Sequence, residues 1–300
     1  MEIIIDRLRK MEADFRRTKD IQALVDTIII TTSQDKPDQI ERGQTLAREL
    51  DCRFYWRRQR PLSQFFENLS VQGIVVVESD RLTFQSRVGS KFFYHPSMAR
   101  HRALNWLRGG VDPMVTAMGL SPGMKVLDCT LGLGSDALIT SLAVGELGLA
   151  VGLEVSPILS VLVQRGFKEY PWSSIPEIGE LLQKAAGRIQ VFNLDHCQAL
   201  KRLDDKSFDV VYFDPMFQQT VWSAKGIAVV RNLGCFNTLE PDTLYEAARV
   251  ARYRVVVKER KGSQVSARLG LNRVIEGANR ISYGVLEVTR ERGLGDDIRC

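Results

Sequence analysis

The feature that most constrains this chain is a series of short apolar runs at near-regular intervals from residue 125 onward. They are KVLD (125–128), AVGLEV (150–155), RIQVFN (188–193), FDVVYFD (208–214) and YRVVVKE (253–259). Segments with helix-like spacing separate them. Strands alternating with helices mean βαβ units and a mostly parallel sheet. NRISYGVLEVTRE (279–291) reads as a last strand. The fold class expected is α/β.

The first third of the chain reads differently. DTIIITTS (26–33) is a β-rich run followed by the turn-like DKPDQ. Ile40, Leu46, Ala47 and Leu50 have helical spacing. GIVVVES (73–79) and RLTFQS (81–86) flank Asp80 as a hairpin. Residues 1–20, of mixed charge and weak helical pattern, read as an N-terminal extension. SMARHRALNWLRGG (97–110) is a basic helix ending on glycines. The expected division is a small N-terminal α/β unit over 1–95 and a second domain over 96–300.

Composition narrows the class. The chain is 44% hydrophobic and 26% charged, which is ordinary for a soluble protein. No apolar run approaches the roughly 20 residues that span a bilayer. The N-terminus is too charged for a signal peptide. The five cysteines are scattered and form no C-x-x-C, against a disulfide framework or a zinc site and for a reducing compartment. The expectation is a cytoplasmic protein with no membrane and no metal. Residues 1–110 carry 19 Lys+Arg against 14 Asp+Glu, whereas the rest carries 22 of each. That asymmetry suggests a polyanionic partner, although a solvated charged surface is the commoner cause of such an excess.

VLDCTLGLGSDAL (126–138) has the order strand, glycine loop, helix start. Gly132 and Gly134 let the backbone approach a ligand that a side chain would block. Glu154, at the end of the next strand, is placed to accept from ribose hydroxyls. Taken alone, the glycines only make a tight turn; with strand, helix and acid in this order they point to a nucleotide-type cofactor. GLGSDA also satisfies the dinucleotide fingerprint, so the loop does not exclude NAD. Asp128 shifts the balance. It would repel a pyrophosphate but suits a cationic amino-acid head group, such as that of S-adenosylmethionine, unless it only caps loop amides. Asp195 is placed either to accept from an adenine amine or to cap a helix. His196 reads as a surface histidine.

VVYFDPMF (210–217) then ends a buried strand on Asp214, Pro215, Met216 and Phe217. A planar exocyclic amine is a poor nucleophile because its lone pair is delocalised into the ring. Asp214 can accept one N–H and stabilise positive charge developing on nitrogen. Carbonyls around Pro215 can accept the other, and the ring stiffens the turn. Phe217 can stack on the base, a contact of about 1–3 kcal/mol. In isolation the same residues would make only a strand-end turn with a buried aromatic.

Together VLDCTLGLGSDAL, GLEVSP, DVVYFDPMF and RVVVKE resemble the RsmJ-type methyltransferases. D-P-M-F looks like that family's version of the D/N-P-P-Y/F amino-methyltransferase motif. The resemblance covers residues 95–290 well and the N-terminal unit loosely. It implies a Rossmann-like seven-stranded methyltransferase sheet using S-adenosylmethionine. It further implies methylation of a guanine N2 amine in small-subunit ribosomal RNA, with ribosomal RNA or the small ribosomal subunit as partner. Ser135, Asp136, Glu154, Val155, Asp195, His196 and Asp214 are then expected to line the cofactor and target pocket, beside Asp128, Gly132 and Gly134. CRFYWRRQRP (52–61) and Arg100, Arg102 and Arg108 are candidate RNA contacts. Three other readings remain at this point: the same chemistry on another amine, an NAD-dependent oxidoreductase, and a non-catalytic RNA-binding protein.

Overall fold

A computed structural model describes residues 1–215, 239–271, 273–277 and 280–288. Its strands form two sheets. The first is built from β1 (Ile28–Thr32), β2 (Arg53–Phe54), β3 (Gly73–Val77), β4 (Leu82–Ser86) and β5 (Lys91–Phe93), in the order β2-β1-β3-β4-β5. β3 and β4 are the expected hairpin, antiparallel from Gly73–Ser86 to Val77–Leu82.

The second sheet comprises β6 (Lys125–Asp128), β7 (Leu149–Leu153), β8 (Ile189–Phe192), β9 (Phe208–Phe213), β10 (Ala251–Arg260), β11 (Arg273–Glu276) and β12 (Ile281–Glu287). Its order is β11-β12-β10-β9-β6-β7-β8. β12 runs antiparallel to both its neighbours, while β10, β9, β6, β7 and β8 are parallel. This is the expected Rossmann-like sheet of seven strands. The chain winds outward through β7 and β8 on one side of β6 and through β9 and β10 on the other. The switch point therefore lies between β6 and β9, and a crevice beyond the carboxyl ends of these strands is where such sheets bind ligands.

Alternation fixes the two faces. Val210, Tyr212 and Val256 point into one core with the helix Ser135–Val144. Val211, Phe213, Val255 and Val257 point into the other. The helix Glu2–Arg16 joins that second core through Ile5, Leu8, Met11 and Phe15, whose spacing gives one apolar stripe. By packing, then, the first helix belongs to the seven-stranded sheet and is an integral layer of it. The helix Pro157–Glu169 is shared: Ile158, Val161 and Leu162 pack against Ile28, Ile30 and Phe84 of the small sheet. The helix Val265–Arg268 and β11 fill the connection before β12. Among the described residues no helix is long and apolar enough to cross a membrane.

Candidate functional site

At the switch point the tips of β6 and β9 are tied together by one residue. The Thr130 N–H donates to Asp128 Oδ1 at 3.0 Å, and the Thr130 hydroxyl accepts the Asp214 N–H at 2.6 Å. The loop then turns through Gly132 and Gly134, both left-handed with φ of 53° and 72°. A Cβ at Gly134 would lie 2.4 Å from the Phe167 ring, so close packing also demands glycine there. Around Gly132 the space is open, the nearest atom being the Thr130 carbonyl oxygen at 3.8 Å from a Cβ position. Glu154, beyond β7, braces this loop: one carboxylate oxygen accepts the Gly132 N–H at 3.1 Å and the other the Ser156 N–H at 2.9 Å.

Beyond β8, Asp195 caps the helix His196–Arg202 by accepting the Gln198 N–H at 2.9 Å. Its second carboxylate oxygen is buried and has no partner among the described residues. The Asn193 side-chain amide donates to the carbonyls of Glu154 and Val155 at 2.8 and 2.9 Å, which locks this loop to the β7 tip. The Asn193 N–H donates to Glu12 of the first helix at 2.8 Å.

A charged cluster lies against the β9 tip on the face of the helix Ser135–Val144. Asp136 accepts from the Tyr212 hydroxyl at 2.7 Å, from Lys258 Nζ at 2.9 Å and from Arg102. Arg102 grips Asp112 with two more bonds, at 2.7 and 2.9 Å. Asp112 in turn caps the helix Pro113–Met118 by accepting the N–H groups of Met114 and Val115. Val257 pairs with Phe213, so Lys258 comes level with Asp214, and Nζ lies 2.7 Å from Asp214 Oδ2.

The electrostatics separate these acids. Burial works against the charge of Asp136, but Lys258 and Arg102 outweigh it and hold the carboxyl well below the usual range. Burial raises Asp214; Lys258 only partly offsets it, and Asp136 adds like charge. Burial also pushes Asp128 up to about 8 and Glu154 up to about 7, against the backbone N–H groups each accepts.

The structure thus gathers Asp128, Gly132, Gly134, Glu154, Asp195 and Asp214 around one set of strand ends. Ser135 and Asp136 open the following helix, with Asp136 turned into the ion cluster. Val155 is half-buried beside Glu154. His196 is half-buried, edge-on to Phe213 at 5.6 Å, and burial lowers its pKa. Pro215 is half-buried after Asp214, whereas Met216 and Phe217 lie outside the described residues.

Arg102, a candidate RNA contact by sequence, is committed to Asp112 and Asp136. Sequence reasoning missed Lys258, Tyr212 and Asp112. The available signal for Lys258 was a lysine in a buried strand of a fold carrying several tip carboxylates.

These groups fit S-adenosylmethionine. A buried, high-pKa Asp128 is what an ammonium or sulfonium would satisfy and what a pyrophosphate would oppose. Asp195 Oδ2, without a partner among the described residues, would suit an adenine amine, and Glu154 retains lone pairs that would suit ribose hydroxyls.

Comparison with known proteins gives the same class. The SAM_MT family model, described as a SAM-dependent methyltransferase, matches residues 69–280. The Bacillus subtilis protein YpiP is 39% identical over 87% of this chain and 100% of its own length. Ribosomal RNA small subunit methyltransferase J of Shewanella amazonensis is 33% identical over 61% of this chain and 74% of its own. The enzyme of that name from Pasteurella multocida is 34% identical over 62% and 72%. A SAM-dependent methyltransferase from Neisseria gonorrhoeae shares the fold, with TM-score 0.58 at 18% identity, covering 90% of this chain and 100% of that one.

Proposed function

Since this chain belongs to the RsmJ-like family of S-adenosylmethionine-dependent methyltransferases, we propose that it methylates the N2 amine of a guanine in small-subunit ribosomal RNA. The observation that carries the reading is Asp214-Pro215 at the tip of β9, beside the Asp128 and Glu154 tips at the switch point. Two relatives named for small-subunit ribosomal RNA support the substrate.

In this reading Asp128, Glu154 and Asp195 hold the head group, ribose and adenine, with Gly132, Gly134, Ser135, Asp136, Val155 and His196 forming the surrounding wall. The bound cofactor supplies an electrophilic methyl group on sulfur. Asp214 accepts an N–H of the target amine and so favours the charge that develops on nitrogen. The carbonyl flanking Pro215 accepts the second N–H. Phe217, outside the described residues, is the aromatic the D-P-M-F motif offers for stacking on the base, and holding nitrogen in line with the methyl supplies most of the remaining rate. The base leaves its stack to reach this crevice.

The loop between β2 and the helix Leu62–Asn68 supports an RNA surface. Asp35 holds it by accepting the N–H groups of Arg57 and Arg58 at 3.1 and 2.7 Å. Arg57 and Arg60 bond to loop carbonyls, while Trp56 stays exposed beside Arg58. Aromatic and cationic groups held open in this way suit bases and phosphates.

The test is transfer of tritium from labelled S-adenosylmethionine to small ribosomal subunits from a strain lacking the protein. Label recovered as N2-methylguanosine, and lost with Asp214→Ala, is the expected result. Cofactor binding without ribosomal label would end the RNA assignment and direct the search to other amines, such as adenine N6 or a protein side chain.

A further inference from the structure

We infer that Lys258 is a positioning residue for methyl transfer: its ammonium fixes one oxygen of Asp214 and leaves the other to receive the substrate amine. The inference rests on Asp214 being the amine acceptor, as proposed above, and extends it to a residue that never touches the reacting nitrogen.

The geometry carries it. Lys258 Nζ sits between two carboxylates, 2.7 Å from Asp214 Oδ2 and 2.9 Å from Asp136 Oδ2. Its side chain is 19% exposed, so water competes weakly for these bonds. The two acids are unequal. Asp136 has Arg102 and the Tyr212 hydroxyl besides. Among the described residues Asp214 has Lys258 as its only ion-pair partner. The Asp214 N–H is already bonded to the Thr130 hydroxyl, so backbone and one oxygen are both fixed. The orientation left for Oδ1 is set before any substrate arrives, which is the preorganisation that electrostatic catalysis needs.

The surroundings explain why a cation is required. Asp136 faces Asp214 from the helix Ser135–Val144 and raises its pKa, and both acids raise that of Asp128 on β6. Arg102 from the helix Ser97–Leu107 is committed to Asp112 and Asp136. Tyr212 on β9 and Tyr283 on β12 are neutral, their hydroxyls raised first by burial. Lys258 on β10 is therefore the main charge that favours Asp214 as an acceptor, with a smaller contribution from Arg102.

The test uses full-length wild type, Lys258→Met and Lys258→Arg, each with carboxyl-¹³C aspartate, and Asp214→Asn to identify the signal. In Lys258→Met the Asp214 carboxyl should titrate about one pH unit or more higher, the usual effect of losing a neighbouring opposite charge. Lys258→Arg should restore it. The acidic limb of methyl transfer should move by the same amount in each variant. An Asp214 signal unmoved in Lys258→Met, or a rate loss uniform across pH, would overturn the inference. Should Lys258→Met fail to fold, Lys258→Gln reads the same shift. The carboxyl titration needs no substrate. No ribosomal RNA label from wild type, with the shift still present in Lys258→Met, would end the RNA reading and leave this one standing.

Discussion

The two sheets of this protein bury different chemistry. In the small sheet and its helices the buried polar residues are Thr31, Thr32, Gln39, Thr83 and Ser86, all uncharged. Thr31 donates to the Tyr55 carbonyl at 2.7 Å, and Gln39 accepts from Ser33 and Gln34. In the large sheet the buried set includes Asp112, Asp128, Asp136, Asp195, Asp209 and Glu259. Burying carboxylates opposes folding unless partners compensate. Asp136 and Asp112 are compensated within the chain by Arg102, whereas Asp128 keeps a raised pKa and Asp195 has an oxygen without a partner among the described residues. A core that satisfies itself is architecture. A core that leaves acids waiting at strand ends is built around something that binds.

The largest expected effect that would break this contrast is Arg102→Met. It strips the cation from two buried acids at once and should cost about 3–5 kcal/mol in denaturant unfolding. A loss under about 1 kcal/mol would mean that the large sheet does not depend on internal charge compensation.

Next comes pH. Asp128 and Glu154 have folded pKa values raised above their ordinary ones, so their contribution is fully present below the ordinary carboxylate range. It is lost as pH rises to about 7 for Glu154 and about 8 for Asp128. The cofactor-free protein should therefore lose on the order of a few kcal/mol from these groups between pH 5 and 8. Asp128→Asn should flatten the slope in thermal melts, and S-adenosylmethionine should stabilise wild type more at pH 8 than at pH 5. A slope unchanged by Asp128→Asn would remove that acid from the argument.

In the small sheet, Thr31→Val should cost only about 1 kcal/mol, the net value of one hydrogen bond, and leave methyl transfer intact. The smallest effect is expected for Arg165→Ala. This residue joins the shared helix to Glu49 at 2.6 Å, with side chains 29% and 42% exposed. Exposed pairs are worth about 0–1 kcal/mol, measurable as a slight shift of the urea midpoint. A larger loss would show that the two sheets depend on each other through charge as well as through packing.

Local signals made the large sheet readable. Each strand from β6 to β10 is a compact apolar run, and Gly132, Gly134, Glu154 and Asp214 follow their strands at positions the fold dictates. What could not be read was side-chain traffic between distant segments. Arg102 looked like one basic residue among several on its helix, and only the tertiary placement of Asp112 and Asp136 reveals its commitment. Lys258 lies 44 positions from Asp214 and meets it through the register of β9 and β10. The first helix carries an apolar stripe, but local signals could not show that it packs against the distant β8. β11 is four residues long and mostly exposed, so it left no apolar run to find.

That first helix has a consequence for how the chain is made. Ile5, Leu8, Met11 and Phe15 share one core with Leu153, Phe192 and Phe213, and Glu12 accepts the Asn193 N–H. At synthesis rates of roughly 5–20 residues per second, the interval between Phe15 and Phe213 is about 10–40 s. For that time the apolar stripe lacks its partners on β8 and β9. The small sheet, whose strand partners all lie between residues 28 and 93, can close long before.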